Sequence, residues 1–186
     1  MDRIILASAS PRRKQLLEWA EIPFDLMPSD SDELVPDNLP VSEIPIFLAR
    51  QKAAIVRKKF AAEKIILAAD TIVVLNQQML GKPLDRSDAI RMLSLLSGQV
   101  HEVITGVALT NAKKEVLFAE TTRVRFHPLT RAEIEHYVDH YQPYDKAGAY
   151  AIQEWIGVTG IHSIDGDFYN VMGLPVSRVL QELKSF

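Results

Sequence analysis

The feature that most limits the fold of this chain is a run of apolar residues at 65–75, interrupted only by Asp70 and Thr71. A run this rich in Ile and Val is typical of a strand that is buried on both faces of a sheet. Because an unpaired buried carboxylate is costly, we expect Asp70 to be paired, bound to a metal ion, or placed at the mouth of a cleft. A general-base or metal-ligand role and an aspartate that caps a turn at a strand break both remain open.

Helical and strand patterns are mixed along the rest of the chain. A short strand over 3–7 leads through a turn into a helix that Ser10 caps and Pro11 begins. Further helices are predicted from 42 past 55, over 85–96, from 130 to about 140 and from 173 to about 184, with strands over 100–108 and 115–126 and an ordered loop with a short helical piece over 143–160. This mixture predicts an α/β or α+β domain around one twisted mixed sheet.

Composition excludes several classes of protein. A chain of 186 residues, of which 47% are hydrophobic, is too apolar to be disordered and suits one domain or two small lobes that share a cleft. A net charge of -3 argues against nucleic acid as the main partner, so a bound anion needs a local cluster of cations. The absence of cysteine excludes disulfides, thiolate zinc sites and a cysteine nucleophile. With neither a signal peptide nor a membrane span in the sequence, the expected location is cytoplasmic.

A basic turn follows the first predicted strand. Residues 8–14 place two hydroxyl side chains, Ser8 and Ser10, before a helix whose first turn carries Arg12 and Arg13. Helix N-termini offer unpaired N–H groups to phosphate, and arginine adds bidentate hydrogen bonds. The alternative is a capped surface helix with solvated basic residues, which is the commoner arrangement.

Three lysines are further candidates for binding an anion. Lys52 lies on the apolar stripe of its predicted helix, where snorkelling to the rim is the commoner outcome. Lys82 stands between Gly81 and Pro83 and Lys146 lies in a glycine-bearing loop, although solvated turn lysines are frequent. The combined set of cations and carboxylates suits a polyphosphate with a divalent cation: Arg12, Arg13, Lys52, Lys82, Lys146, Glu33 and Asp70.

Other nucleotide and metal motifs are missing from the sequence. It contains neither a GxxxxGK[ST] loop nor a GxGxxG fingerprint. His136 and His140 have helical spacing but lack an HExxH pattern, so an exposed helix face is the better interpretation. Trp19 and Trp155 are interpreted as packing residues.

The motifs of the chain, taken in order, resemble those of the Maf family. The matching segments are Leu6-Ala7-Ser8-Ala9-Ser10-Pro11-Arg12-Arg13, Ala49-Arg50-Gln51-Lys52-Ala53, Ala69-Asp70-Thr71-Ile72-Val73, Gly81-Lys82-Pro83, Ser97-Gly98, Asp145-Lys146-Ala147-Gly148-Ala149-Tyr150-Ala151-Ile152-Gln153 and Gly173-Leu174-Pro175. They cover essentially the whole chain, as one Maf-like domain over 1–186. The resemblance implies an α/β fold related to the inosine-triphosphate pyrophosphatases, with two lobes around a nucleotide cleft.

The resemblance also implies an activity and roles for residues. Members of the family cleave nucleoside triphosphates to the monophosphate and pyrophosphate, with a divalent metal (Mg²⁺ or Mn²⁺). The family pattern makes Asp70 the proton acceptor, with Glu33, Lys52 and Lys82 beside it in the catalytic cluster. Glu33 and Asp70 are the expected metal ligands. Substrate contacts are expected from Ser8, Arg12, Arg13, Thr71, Lys146 and Gln153. A homodimer is expected from the family alone.

Within the family, this chain is similar to the class that cleaves dTTP and UTP. The similarity lies at Arg12, Thr71 and Gln153, where the 7-methyl-GTP class tends to carry an aromatic residue, glutamine and glutamate. The chain departs from the family pattern after Gln153, where Glu154-Trp155-Ile156 precede Gly157 and a smaller residue or glycine is more usual. The alternatives are the same chemistry on 7-methyl-GTP or another nucleotide, and a non-enzymatic nucleotide-binding regulator of cell division. A house-cleaning role linked to division arrest is also implied by the resemblance.

Overall fold

The computed structural model describes residues 3–29 and 34–186. The strands are β1 (Ile4–Leu6), β2 (Phe24–Leu26), β3 (Ile66–Leu75), β4 (Gln78–Leu80), β5 (Val100–Thr110), β6 (Glu115–Phe126) and β7 (Ile161–Asp165). The helices are α1 (Pro11–Trp19), α2 (Ile44–Arg57), α3 (Arg86–Leu96), α4 (Arg131–Tyr141), α5 (Trp155–Gly160), α6 (Phe168–Met172) and α7 (Val176–Leu183). Short 3₁₀ turns lie at Val41–Glu43 and Ala147–Ala149.

The strands of the described chain form one seven-stranded sheet in the order β2-β1-β3-β5-β6-β7, with β4 paired to β3. β1 is parallel to both β2 and β3, whereas β4 is antiparallel to β3 and β7 is antiparallel to β6. The predicted mixed α/β sheet is therefore confirmed. β3 is buried along almost its whole length, and Asp70 lies inside it. The interpretation of Asp70 as a turn cap at a strand break is consequently wrong.

The chain divides into two compact units. The first unit comprises Met1–Thr71, Thr105–Glu120 and Gly173–Phe186, and the second comprises Ile72–Ile104 and Thr121–Met172. Helices α1, α2 and α7 belong to the first unit, and α3 to α6 belong to the second. None of the helices in the described ranges combines the length and the apolar character needed to cross a bilayer.

Small side chains let α2 pack closely against the sheet in the core of the first unit. Ala49 and Ala53 of α2 pack against Ala68 of β3 and Ala108 of β5, all of them buried. Gly106 of β5 marks the closest approach, because a Cβ built there would lie 2.2 Å from backbone atoms of Pro45 and Ile46. Only a hydrogen fits between β5 and the first turn of α2. Glycine is therefore required at this position by the space available.

Most helix ends lie where the sequence predicted them, since local capping sets them. The Ser10 Oγ accepts a hydrogen bond from the Arg13 backbone at 3.4 Å, and the Thr130 capping box is complete. Two predictions were wrong. The helix α2 begins at Ile44, after a 3₁₀ turn that contains Ser42. Trp19 is 58% exposed, so it is not a packing residue of the core.

The core of the second unit contains a buried histidine. His101 is 1% exposed, its Nε2 lies 2.7 Å from the Tyr150 Oη, and its ring stacks on Phe126 at 5.5 Å. Its Nδ1 has no hydrogen-bond partner within residues 3–29 and 34–186. Burial lowers the pKa of His101 from the ordinary 6.5 to about 4, because the apolar surroundings disfavour the imidazolium. The imidazole is therefore neutral at physiological pH.

Candidate active site

The candidate site of the first unit lies where β3 runs past the end of β1. Leu6 is the last residue of β1 and pairs with Leu67, so Asp70 and Thr71 extend beyond the end of that strand. In open α/β sheets, ligands bind outside the carboxyl ends of parallel strands, where a helix also begins. Ser8 and the N-terminus of α1 follow β1 directly.

Lys52 and Asp70 form an ion pair at this place. The Lys52 Nζ lies 2.5 Å from the Asp70 Oδ1, and the two side chains are only 13% and 12% exposed. Lys52 therefore points from α2 to the strand and does not snorkel to the rim, which was the commoner of the two possibilities. The ammonium compensates the buried carboxylate, as the burial of Asp70 requires. The contact with Lys52 fixes the Asp70 Oδ1. Within the described chain, the second carboxylate oxygen, Oδ2, accepts no side-chain hydrogen bond.

Thr71 points to the opposite face of β3, because successive strand residues alternate between faces. On that face the guanidinium of Arg13 donates to three oxygens: Nη2 to the Thr71 Oγ1 at 3.0 Å, Nη1 to the Ser8 Oγ at 3.2 Å, and Nε to the Gly173 carbonyl at 2.8 Å. Arg13 thus ties the end of β1, the middle of β3 and the start of the last helical segment together. Most of its donor capacity is used inside the protein.

The hydroxyl of Thr71 is engaged on several sides. Besides the bond from Arg13, its Oγ1 lies 2.9 Å from the Thr105 Oγ1 and 3.4 Å from the Gly173 carbonyl. A hydroxyl has one donor and two acceptor positions, so these contacts satisfy it. Thr105 is fully buried and was not predicted from the sequence. Its signal was a hydroxyl within the apolar run from Val103 to Leu109 of β5, comparable with Thr71 in β3.

Ser8 and the first turn of α1 provide the groups that an anion would meet. The Ser8 Oγ accepts from the Ser10 backbone at 3.2 Å and from Arg13, which leaves its own hydrogen available for donation. The side chain is 7% exposed, so its direction is well fixed. Arg12 is half-buried in the same turn.

The second unit holds Lys82, Lys146 and Gln153. Lys146 is 8% exposed, and its Nζ lies 2.7 Å from the Asp145 Oδ1 and 3.5 Å from the Glu154 Oε1. The Gly148 N–H donates to the Gly81 carbonyl at 3.0 Å, so the turn that carries Lys82 is bonded to the loop that carries Lys146. Lys82 and Gln153 are exposed.

The predicted residues therefore assemble into groups within each unit. Ser8, Arg13 and Thr71 form one group, and Lys52 with Asp70 forms another. Glu33 lies outside the described residues. No cluster of three or more His, Cys, Asp or Glu side chains occurs in the described ranges, and of the two expected metal ligands only Asp70 lies within them. That fits Mg²⁺, which usually takes one or two carboxylates and completes its shell with water and substrate phosphates.

Comparison with known proteins gives a family match over nearly the whole chain. Residues 3–186 match the model of the family described as Maf-like protein. A Bacteroides fragilis protein named dTTP/UTP pyrophosphatase is 50% identical over 98% of this chain and 95% of its own length. A protein of the same name from Cytophaga hutchinsonii is also 50% identical, over 97% of this chain and 83% of its own.

The sequence identity to solved structures is lower than the identity to these relatives. A HAM1 protein from Coxiella burnetii aligns over 68% of this chain and 73% of its own, with 17% identity and a TM-score of 0.46. The expected kinship with the inosine-triphosphate pyrophosphatases stays a prediction at this level of likeness.

Proposed function

This chain belongs to the Maf family, and we propose that it is a pyrophosphatase that hydrolyses dTTP and UTP to the nucleoside monophosphate and pyrophosphate. The observation that carries the proposal is the Lys52–Asp70 pair, buried in β3 beyond the end of β1, which leads into the basic N-terminus of α1. The names of relatives that are about half identical in sequence support the same reaction.

Asp70 is proposed to accept a proton from the attacking water. Lys52 holds Oδ1, which leaves Oδ2 to orient and deprotonate water. Hydrolysis breaks the bond between the α and β phosphates. If the water oxygen attacks the α phosphorus, pyrophosphate is the leaving group; if it attacks the β phosphorus, the monophosphate is the leaving group. The ammonium of Lys52 also stabilises negative charge that develops on the phosphoryl oxygens.

Phosphate binding is proposed for the turn at Ser8 and Arg12. The free hydrogen of the Ser8 hydroxyl and the guanidinium of Arg12 serve as donors, and the N-terminal dipole of α1 favours an anion. Thr71 and Arg13 contribute by fixing this turn, since their polar groups bond to each other. From the family pattern we add Lys82 to the catalytic cluster, Lys146 to the substrate contacts, and Gln153 as the residue that contacts the base.

A divalent cation is proposed as the cofactor, held by Asp70 and by Glu33, a residue outside the described ranges. When bound, Mg²⁺ or Mn²⁺ neutralises phosphate charge and polarises the phosphoryl oxygens. The basic side chains of the protein neutralise the remaining negative charge of the triphosphate. A homodimer and a cytoplasmic location stay predictions.

Pyrophosphate release from a panel of nucleotides tests the proposed function. With Mg²⁺ or Mn²⁺, we expect dTTP and UTP to be cleaved with higher kcat/KM than CTP, GTP, ATP and 7-methyl-GTP. An excess of chelator should remove the activity, because the triphosphate and the carboxylates repel one another without a cation. Full activity in chelator would remove the metal from the mechanism. Nucleotide binding without turnover would favour a regulatory role instead.

The preference for a pyrimidine is expected to depend on Gln153. Its amide both donates and accepts hydrogen bonds, matching the paired N–H and C=O groups on the edge of uracil or thymine. Because a site that hydrogen-bonds its substrate rejects a mismatched partner strongly, Gln153→Glu should lower kcat/KM for UTP and dTTP by about 100-fold or more. The exposed position of Gln153 predicts little change in the free energy of unfolding.

Gln78→Glu is a suitable charge control, since Gln78 is another exposed glutamine of the second unit. It should leave the ranking of nucleotides as in the wild type. If Gln153→Glu also leaves that ranking unchanged, the base is recognised elsewhere.

A further inference from the structure

One buried hydroxyl bonds to both ends of the turn that carries Gln153. Tyr137 of α4 is 0% exposed, and its hydroxyl donates to the Glu154 Oε2 while accepting a hydrogen bond from the Ala151 N–H at 3.1 Å. The phenol thus uses both its donor and an acceptor position on residues that flank Gln153. Neither Tyr137 nor Glu154 has a role in the proposed mechanism.

The segment between these two contacts is a closed turn. The Glu154 N–H donates to the Ala151 carbonyl at 3.1 Å, which makes Gln153 the third residue of a four-residue turn. Ala151 and Ile152 are buried, whereas the Gln153 side chain is exposed. The backbone that sets the direction of Gln153 is therefore anchored by Tyr137 and Glu154 on its inner side.

Glu154 connects the same turn to Lys146. One carboxylate oxygen accepts from Tyr137, and the other lies 3.5 Å from the Lys146 Nζ. Lys146 has a closer partner in Asp145, at 2.7 Å, so Glu154 adds a second negative charge to a lysine that is almost fully buried. Moving Glu154 would thus disturb both the turn and the lysine.

We propose that Tyr137 and Glu154 are positioning residues that set the pyrimidine preference by holding Gln153 in place. This inference rests on the proposed function, because it concerns the base specificity of that reaction. The turn is short, and the phenolic hydroxyl of Tyr137 bonds it to α4. Without it, the Ala151 N–H and one Glu154 oxygen lose their partner, and the turn gains freedom. Loss of alignment at Gln153 weakens discrimination between bases.

A double-mutant cycle separates this role from a merely structural one. We compare the ratio of kcat/KM for UTP to that for GTP in the wild type, Tyr137→Phe, Gln153→Ala and the double variant. Tyr137→Phe is expected to lower the ratio about tenfold in the wild-type background, since small misplacements of a binding group cost this much or more. In the Gln153→Ala background it should not change the ratio, because Tyr137 acts through Gln153.

Tyr141→Phe is the matched control on the same helix. Tyr141 is exposed and stacks on the Tyr137 ring at 5.0 Å, and its substitution should leave the ratio at the wild-type value. Glu154→Gln keeps an acceptor for the Tyr137 hydroxyl and should retain most of the preference, whereas Glu154→Ala should lose it as Tyr137→Phe does. Thermal melts of each variant show whether it is folded.

The results that would contradict the positioning role differ from those that would contradict the proposed function. A wild-type protein that cleaves none of the nucleotides contradicts the function itself. An active wild type whose UTP to GTP ratio is unchanged by Tyr137→Phe overturns the positioning role alone. The same holds if Tyr137→Phe lowers the ratio equally with and without Gln153, or if kcat/KM falls equally for both nucleotides.

Discussion

Replacing Asp70 by asparagine is expected to lower kcat on UTP by about 100- to 10,000-fold, the usual contribution of a general base. Asparagine has nearly the same shape and still accepts a hydrogen bond, but it cannot take a proton from water. Nucleotide affinity should change much less, because Ser8 and the cations hold the phosphates. Steady-state kinetics with UTP, together with calorimetric binding of a non-hydrolysable UTP analogue, measure the two effects.

The variant also removes the countercharge of Lys52, whose side chain is only 13% exposed. Breaking such a pair destabilises a protein, so part of the loss of activity could reflect unfolding. The double variant Asp70→Asn with Lys52→Gln restores a neutral pair and should recover the melting temperature without recovering turnover. Turnover within about tenfold of wild type in a folded Asp70→Asn protein would exclude general-base catalysis by Asp70.

The free energy of unfolding is expected to decrease by about 3 kcal/mol as the pH falls from 6.5 to 4, on account of His101. Its pKa is lowered from 6.5 to about 4 in the folded protein, so between these values the unfolded chain binds the proton and the folded chain does not. Stability is complete above pH 6.5 and is lost as the pH falls through this window. Urea unfolding at pH 7.0, 6.0, 5.0 and 4.5 measures the slope.

A variant that lacks both polar groups provides the comparison. His101→Phe with Tyr150→Phe removes the titrating imidazole together with the phenol that lies 2.7 Å from it, and leaves an aromatic cluster with Phe126. This variant should show a much flatter dependence between pH 6.5 and 4.5. An equal slope in the two proteins would assign the acid sensitivity to other groups.

The local features of the fold could be predicted from the sequence because local chemistry determines them. Ser10 before Pro11, and Thr130 before Glu133, set helix starts through bonds that span three residues. The apolar run that contains Asp70 similarly indicated a doubly buried strand. The cost of burying a charge limited Asp70 to an ion pair, a metal ion or the mouth of a cleft, and the structure shows an ion pair with Lys52.

The contacts that define the site could not be predicted in this way. Arg13 bonds to Gly173, which is 160 positions away, and Thr71 to Thr105, which is 34 positions away. Such pairs depend on the order of strands in the sheet, which periodicity does not encode. The strand Ile161–Asp165 was also missed, because its pattern of mostly exposed residues becomes a strand only through pairing with β6.

The absence of a side chain at Gly106 allows the backbone of α2 to pack directly against β5. Because the first turn of this helix rests on bare β5 backbone, the glycine sets how closely the helix approaches the sheet at this end. Lys52 lies six residues further along α2, about 9 Å by helical rise, and reaches Asp70 from there. Gly106 thereby helps to determine how Lys52 reaches Asp70. In a library screened for altered activity, we expect this position to behave as though it belonged to the site.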